Sequence, residues 1–111
     1  MERLTPMELQ VMCAVYDACE AKESLSIYDV LEKVNGKYHV GWERATVYAY
    51  IRNLVLKNFL VKQRIIGGEV QYYPFFSVRD FRRNYLRDIC MQVFDGDSDM
   101  LYELADEIRK E

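Results

Sequence analysis

The sequence is poor in the residues that carry most site chemistry: one histidine, three cysteines and two prolines in 111 residues. A lone His39 leaves nothing for a histidine-rich metal site and is expected as an exposed turn residue. Cys13 and Cys19 stand six apart on a predicted helix, too far round it to share a face, and Cys90 has no neighbour of its kind. Free thiols are expected, not a structural zinc or a disulfide scaffold. No apolar run approaches the length that crosses a bilayer, and the first residues have neither the basic nor the apolar region of a signal, so the expected location is the cytoplasm. Repeats, low-complexity stretches and flexible linkers are missing too. Ser24, Ser26, Ser77 and Ser98 all stand where caps or turns account for them. Gly67-Gly68 lacks the strand-to-helix context of a phosphate loop. Asp95-x-Asp97-x-Asp99 resembles the start of a calcium loop, but its twelfth position is Asp106 and not Glu. No catalytic residue, cofactor or metal is therefore assigned, and an enzyme is not expected.

What is present is apolar residues in quantity, 50% of the chain, enough for the core of one domain with a small appendage and some surface left for a partner. The net charge of −3 hides a division along the chain. Residues 1–39 carry four Lys/Arg against seven Asp/Glu, residues 40–90 nine against four, and residues 91–111 two against seven. A basic middle between acidic ends is compatible with one phosphate-facing surface.

The periodicity predicts five helices and a hairpin. Thr5, Pro6 and Glu8 open the first helix as cap, first-turn proline and capping-box partner, with Leu9, Met12, Cys13, Val15, Tyr16 and Cys19 inward. Ser26 caps a second helix whose inner face is Ile27, Val30, Leu31 and Val34, and Asn35-Gly36 is expected to end it. Residues 37–41 form the turn before a third helix, Trp42 to Asn58, which packs through Ala45, Val47, Tyr48, Ile51, Leu54 and Val55. Asn58 is placed to stop it. Leu60–Ile66 and Val70–Phe75 alternate as two strands closed near Gly67-Gly68, with Pro74 ending the ladder. A fourth helix starts at Ser77 and runs to about Val93, Asp95-Gly96-Asp97 breaks it, and Ser98 caps a fifth.

Three helices followed by a hairpin are the pattern of a winged helix-turn-helix, mainly α with a small β wing, over residues 1–76. The fourth and fifth helices, residues 77–111, show stripes of Phe81, Tyr85, Leu86, Ile89 and Val93, then Met100, Leu101, Leu104 and Ile108. With no core of their own, these are expected to pair with a second copy. Such a dimer would set two third helices at spaced half-sites on a duplex. On that helix Arg44 and Thr46 stand where side chains reach base edges, an arginine being able to make a bidentate contact with guanine. Tyr50, Arg52 and Asn53 follow as hydroxyl, guanidinium and amide donors, and Lys57, Lys62 and Arg64 as phosphate contacts. Each has a plainer reading, as a solvated charge, a cap or a packed aromatic. Trp42 is expected to anchor the helix entrance against the wing or the first helix. Arg79, Arg83 and Arg87 share one surface of the fourth helix and are expected to pair with Asp97, Asp99, Glu103 and Asp106, in cis or across the dimer.

The chain also resembles the BlaI/MecI-type penicillinase repressors over about nine-tenths of its length. The matching stations are Leu4-Thr5-x-x-Glu8-Leu9-x-Val11-Met12, Ile27-Tyr28-Asp29-Val30, Trp42-x-x-x-Thr46-Val47-x-x-x-Ile51-x-x-Leu54-x-x-Lys57-Asn58-Phe59-Leu60, Tyr72-Tyr73-Pro74 and Val93-Phe94-Asp95-Gly96. The resemblance implies a homodimeric repressor that binds palindromic double-stranded operator DNA and is held together by its C-terminal helices. Tyr48, Ala49 and Asn53 depart from the family pattern, which commonly has Arg, Thr and Arg there. The cysteine-rich tail of the copper-responsive branch has no counterpart here, and the Asn-Phe pair of the cleavage region is missing around Glu103-Leu104. Those departures keep an alternative open: a winged helix that binds a protein, as an adaptor or antirepressor.

Overall fold

The computed structural model describes residues 2–65 and 67–111. The element order is α1 (Pro6–Ala18), α2 (Ile27–Tyr38), α3 (Arg44–Leu56), β1 (Leu60–Arg64), β2 (Val70–Pro74), α4 (Val78–Val93) and α5 (Ser98–Arg109). The chain divides into two compact units, Met1–Phe75 and Phe76–Glu111. The fold class is the expected one, a winged helix followed by two helices.

Local hydrogen bonding starts the helices where the sequence placed them. The Thr5 hydroxyl accepts from the Glu8 N–H at 3.2 Å, and the Glu8 carboxylate accepts from the Thr5 N–H at 2.9 Å. Ser26 and Asp29 make the same reciprocal pair at the head of α2, at 3.2 and 2.9 Å. Each pair satisfies two backbone donors that the first turn leaves free. Asn58 takes a left-handed backbone (φ 65) and ends α3 as expected.

Several expected boundaries move: α3 runs Arg44–Leu56 where Trp42 to Asn58 is expected, β2 stops at Pro74 and not Phe75, and β1 runs to Arg64, its expected end at Ile66 lying outside the described residues. Asn35-Gly36 does not end α2, which continues to Tyr38; the left-handed position falls to His39 (φ 54). Asn35 is otherwise engaged: its amide donates to the Trp42 carbonyl at 3.1 Å, and its oxygen accepts from the Trp42 N–H at 2.9 Å. At α5 the cap is Asp97, whose carboxylate accepts from the Met100 N–H at 3.1 Å, and Ser98 is the first helical residue.

The core of the first unit is built by Val11, Met12, Ala14 and Val15 of α1, Val30 and Val34 of α2, and Val47, Ile51 and Leu54 of α3, closed by Leu25, Phe59, Leu60 and Tyr72. On α1 the buried set is one step round from the expected stripe: Val11 and Ala14 are inside, while Leu9, Cys13, Tyr16 and Cys19 are half-buried. Small Ala14 lets α1 lie close against its neighbours, which a search for large apolar residues passes over. Ala45 and Tyr48, expected to pack, are exposed.

The wing is an antiparallel pair in the register Leu60↔Pro74, Val61↔Tyr73, Lys62↔Tyr72, Gln63↔Gln71 and Arg64↔Val70. Gly67 turns it with φ 73, a conformation that suits a residue without a Cβ. A third, one-residue rung is added where Leu25 and Tyr72 exchange backbone hydrogen bonds, both at 2.8 Å. That rung ties the segment before α2 to β2 of the wing.

In the second unit Phe81 and Cys90 are buried, and α5 has no buried residue. Asp95 (φ 50) and Gly96 (φ 80) make the break between the helices, with the Gly96 N–H returned to the Cys90 carbonyl at 3.0 Å.

Candidate nucleic-acid interface

α3 buries Val47, Ile51 and Leu54 against the core, so its opposite side is presented to solvent. That side carries Arg44, Ala45, Thr46, Tyr48, Ala49, Arg52, Asn53 and Leu56, all exposed. Arg44, Tyr48, Arg52 and Leu56 follow one another at four-residue steps and form a row along the edge nearest the wing. Facing them from β1 is Lys62. A concavity of about 440 Å³ is lined by Tyr28, Arg44, Tyr48, Lys62, Glu69 and Tyr72 among others. A second, of about 160 Å³, is lined by Tyr48, Arg52, Val55, Leu56, Lys62 and Tyr72. Tyr48, Lys62 and Tyr72 border both, so the two make one groove between α3 and the wing.

Among the described residues, the ion pairs engage Lys22, Lys37, Lys57, Arg109 and Lys110, and none engages Arg44, Arg52, Lys62 or Arg64. The groove therefore keeps three uncompensated cations with Glu69 as the acid in its lining. Arg44 is held instead by an aromatic face, its guanidinium carbon 5.2 Å from the centre of the Tyr28 ring. Tyr72 is buried beneath the groove. Its burial, with a smaller push from Tyr48, raises the pKa of its hydroxyl, which stays protonated and neutral.

The structure brings Arg44, Arg52 and Lys62 together and separates the other sequence candidates from them. Thr46 and Asn53 are exposed on α3 outside the groove lining, and Arg64 is exposed toward the wing tip. Tyr50 is half-buried and stacked on Trp42, ring centres 5.3 Å apart and planes 28° from parallel. Trp42 thus braces α3 through Tyr50 and joins α2 through Asn35, where the sequence suggested the wing or the first helix. Lys57 lies at the far end of α3 from Arg44 and turns inward: its ammonium donates to buried Glu8 at 2.6 Å and to the Arg3 carbonyl at 3.3 Å. Its work in the structure is to join α3 to α1.

Tyr28, Glu69 and Tyr72 were not among the sequence candidates for this surface. Tyr28 carried a signal: an aromatic on the outer side of an amphipathic helix, off the stripe that Val30 and Val34 define. Glu69 and Tyr72 carried none, because their place depends on the wing register.

A helix presented beside a two-stranded wing, over a core of three helices, is the architecture of a winged-helix transcription regulator, and this protein is a non-enzymatic regulator of that class. The penicillinase repressor family model matches residues 4–110, and the chain belongs to that family. Among solved structures it is similar to a Campylobacter jejuni peroxide stress regulator, at 12% identity and a TM-score of 0.51, covering 78% of this chain and 76% of that one. At that identity the likeness is one of fold. The comparison with curated proteins gives no match. Among the described residues no helix is long and apolar enough to cross a membrane.

Proposed function

We propose that the protein is a transcriptional repressor that binds operator DNA as a homodimer, residues 1–76 reading the duplex and residues 77–111 holding the dimer. The observation that carries this reading is the groove between α3 and the wing, where Arg44, Arg52 and Lys62 meet with no ion-pair partner among the described residues, while Lys22, Lys37 and Lys57 of the same unit are paired. In that arrangement α3 enters the major groove, with Arg44 and Thr46 at the base edges. Exposed Ala45 and Ala49 permit close approach. Arg52, Lys62 and Arg64 take phosphates, and Asn53 is a further donor on the same helix. Tyr50 and Lys57 drop out of this set because they brace α3 from behind. A regulator of this kind acts where the chromosome is, hence a cytoplasmic location.

The dimer rests on α4 and α5. Phe81 is buried and Ile89 and Leu101 are half-buried, but Tyr85, Leu86, Val93, Met100, Leu104 and Ile108 are exposed in the single chain. Covering them against a second copy stabilises the pair by roughly 25 cal/mol for each Å² removed from water. The α4 arginines make no ion pair with the α5 carboxylates among the described residues, where Asp106 binds Arg109 and Lys110 instead. Arg79 and Arg83 of α4 and Asp99 and Glu103 of α5 are thus left for pairing across a dimer, while Arg87 bonds Asn84 and Asp97 caps α5.

A second reading, docking of a partner protein on α3, draws on Leu56 (71% exposed) and Tyr48 (44% exposed), which put apolar surface in the row beside the wing. Selection from random duplex DNA over a salt series, with the oligomeric state recorded in the same samples, separates the two. A palindrome selected by a dimer, with affinity falling steeply as salt rises, is the expected result. A folded dimer that selects nothing at low salt would overturn the DNA reading in favour of the protein partner.

A further inference from the structure

We propose that Tyr28, on α2, is a positioning residue that aims Arg44 and so sets the base preference of the groove. The proposal rests on the DNA reading above. Arg44 is in the first turn of α3, exposed, with a long side chain that would otherwise sample many rotamers. Its guanidinium instead lies over the Tyr28 ring, 5.2 Å from the centre. A carboxylate in that place would also order the arginine, but it would neutralise the charge and occupy the donors. An aromatic face leaves the positive charge and the edge N–H groups available while constraining where the planar group lies. A bidentate contact to guanine O6 and N7 needs that constraint, since both N–H vectors must fall in the plane of the base pair. Glu69, on the wing side, is the acid in the lining of the same concavity, and no ion pair joins it to Arg44 among the described residues. Tyr28 therefore keeps Arg44 on the α2 side of the groove and away from the wing. Nothing in the fold asks for an aromatic at this position: Tyr28 is 53% exposed and lies outside the core.

The test uses the full-length dimer and the operator selected by the wild type, with each base pair of one half-site replaced in turn. Wild type and Tyr28→Phe, which keeps the ring, are expected to share one preference. Tyr28→Leu is expected to fold normally and to lose about two- to fivefold of the discrimination at a single guanine position, the size of an exposed cation–π contact. Its salt dependence should be unchanged, because no phosphate contact is removed. Arg44→Ala should lose discrimination at the same position by a larger factor. The Tyr28→Leu/Arg44→Ala double variant should be no worse than Arg44→Ala alone, because Tyr28 acts through Arg44. Unchanged discrimination in Tyr28→Leu, or losses that add in the double variant, would overturn the positioning role while leaving the DNA reading intact. A folded wild-type dimer that selects no sequence would overturn both.

Discussion

Lys57 and Lys62 show how one residue type takes opposite roles within a few residues of chain, the first bracing Glu8 and the second lining the groove. Glu8 is 2% exposed, and burial alone would raise its pKa; the Lys57 ammonium and the Thr5 N–H and hydroxyl outweigh that and hold the carboxyl below its ordinary range. A carboxyl depressed in the folded state contributes stability that is complete above its unfolded pKa and is lost as pH falls through the folded one. Urea unfolding followed from neutral into acid pH should therefore show a fall that is shallower in Glu8→Gln. At neutral pH, Lys57→Met should cost about 2 kcal/mol, since it leaves a buried carboxylate without its cation. Lys57→Met should leave the salt dependence of DNA binding alone, whereas Lys62→Ala should lower its slope by about one counterion with little loss of stability. A salt slope that drops in Lys57→Met and not in Lys62→Ala would reverse the assignment. In the sequence the two lysines are alike, each basic and beside apolar residues; only the fold tells the bracing cation from the groove cation.

At the scale of elements, caps and turns were the legible part. The Thr5 and Ser26 caps, the Asn58 stop, the Gly67 turn and the Asp95-Gly96 break are each decided by hydrogen bonds or backbone angles within a few residues, so the local sequence suffices. Ser26→Ala should lower the melting temperature by an amount equivalent to about 1 kcal/mol. His39 is the informative exception. Its left-handed backbone is a strain that glycine relieves, and His39→Gly should stabilise the protein by about 0.5–1 kcal/mol in thermal or urea unfolding. No gain would mean that the His39 side chain compensates for its backbone. Asn35-Gly36 looked like the better stop, and loses because the Asn35 side chain is taken by both backbone groups of Trp42.

For the whole molecule the question is what covers α4 and α5. An amphipathic helix of twelve residues with no buried side chain has little to hold it in water. Leu104→Asp should therefore shift sedimentation equilibrium toward monomer and weaken operator binding together, as the two half-sites lose their coupling. If the α4 arginines meet α5 carboxylates across the dimer, Arg83→Glu should weaken association and Glu103→Arg in the same chain should restore part of it. A monomeric wild type would defeat this prediction at once.

The sequence by itself determined the order of elements, most of their ends and the basic character of residues 40–90, because each depends on neighbours along the chain. It also placed the chain beside the penicillinase repressors, through residues that hold α1, α3 and the wing exit. Tertiary structure decided which charges are spent inside and which are offered outside. Glu8 meets Lys57 across 49 residues, Ser24 meets Gln71 across 47, and Tyr28 of one helix reaches Arg44 of the next. Periodicity names the residues on a face, but it carries no information about which partner lies opposite. That is why Lys57 looked like a phosphate contact and Tyr28 was not a candidate for the groove until α2, α3 and the wing were set against one another.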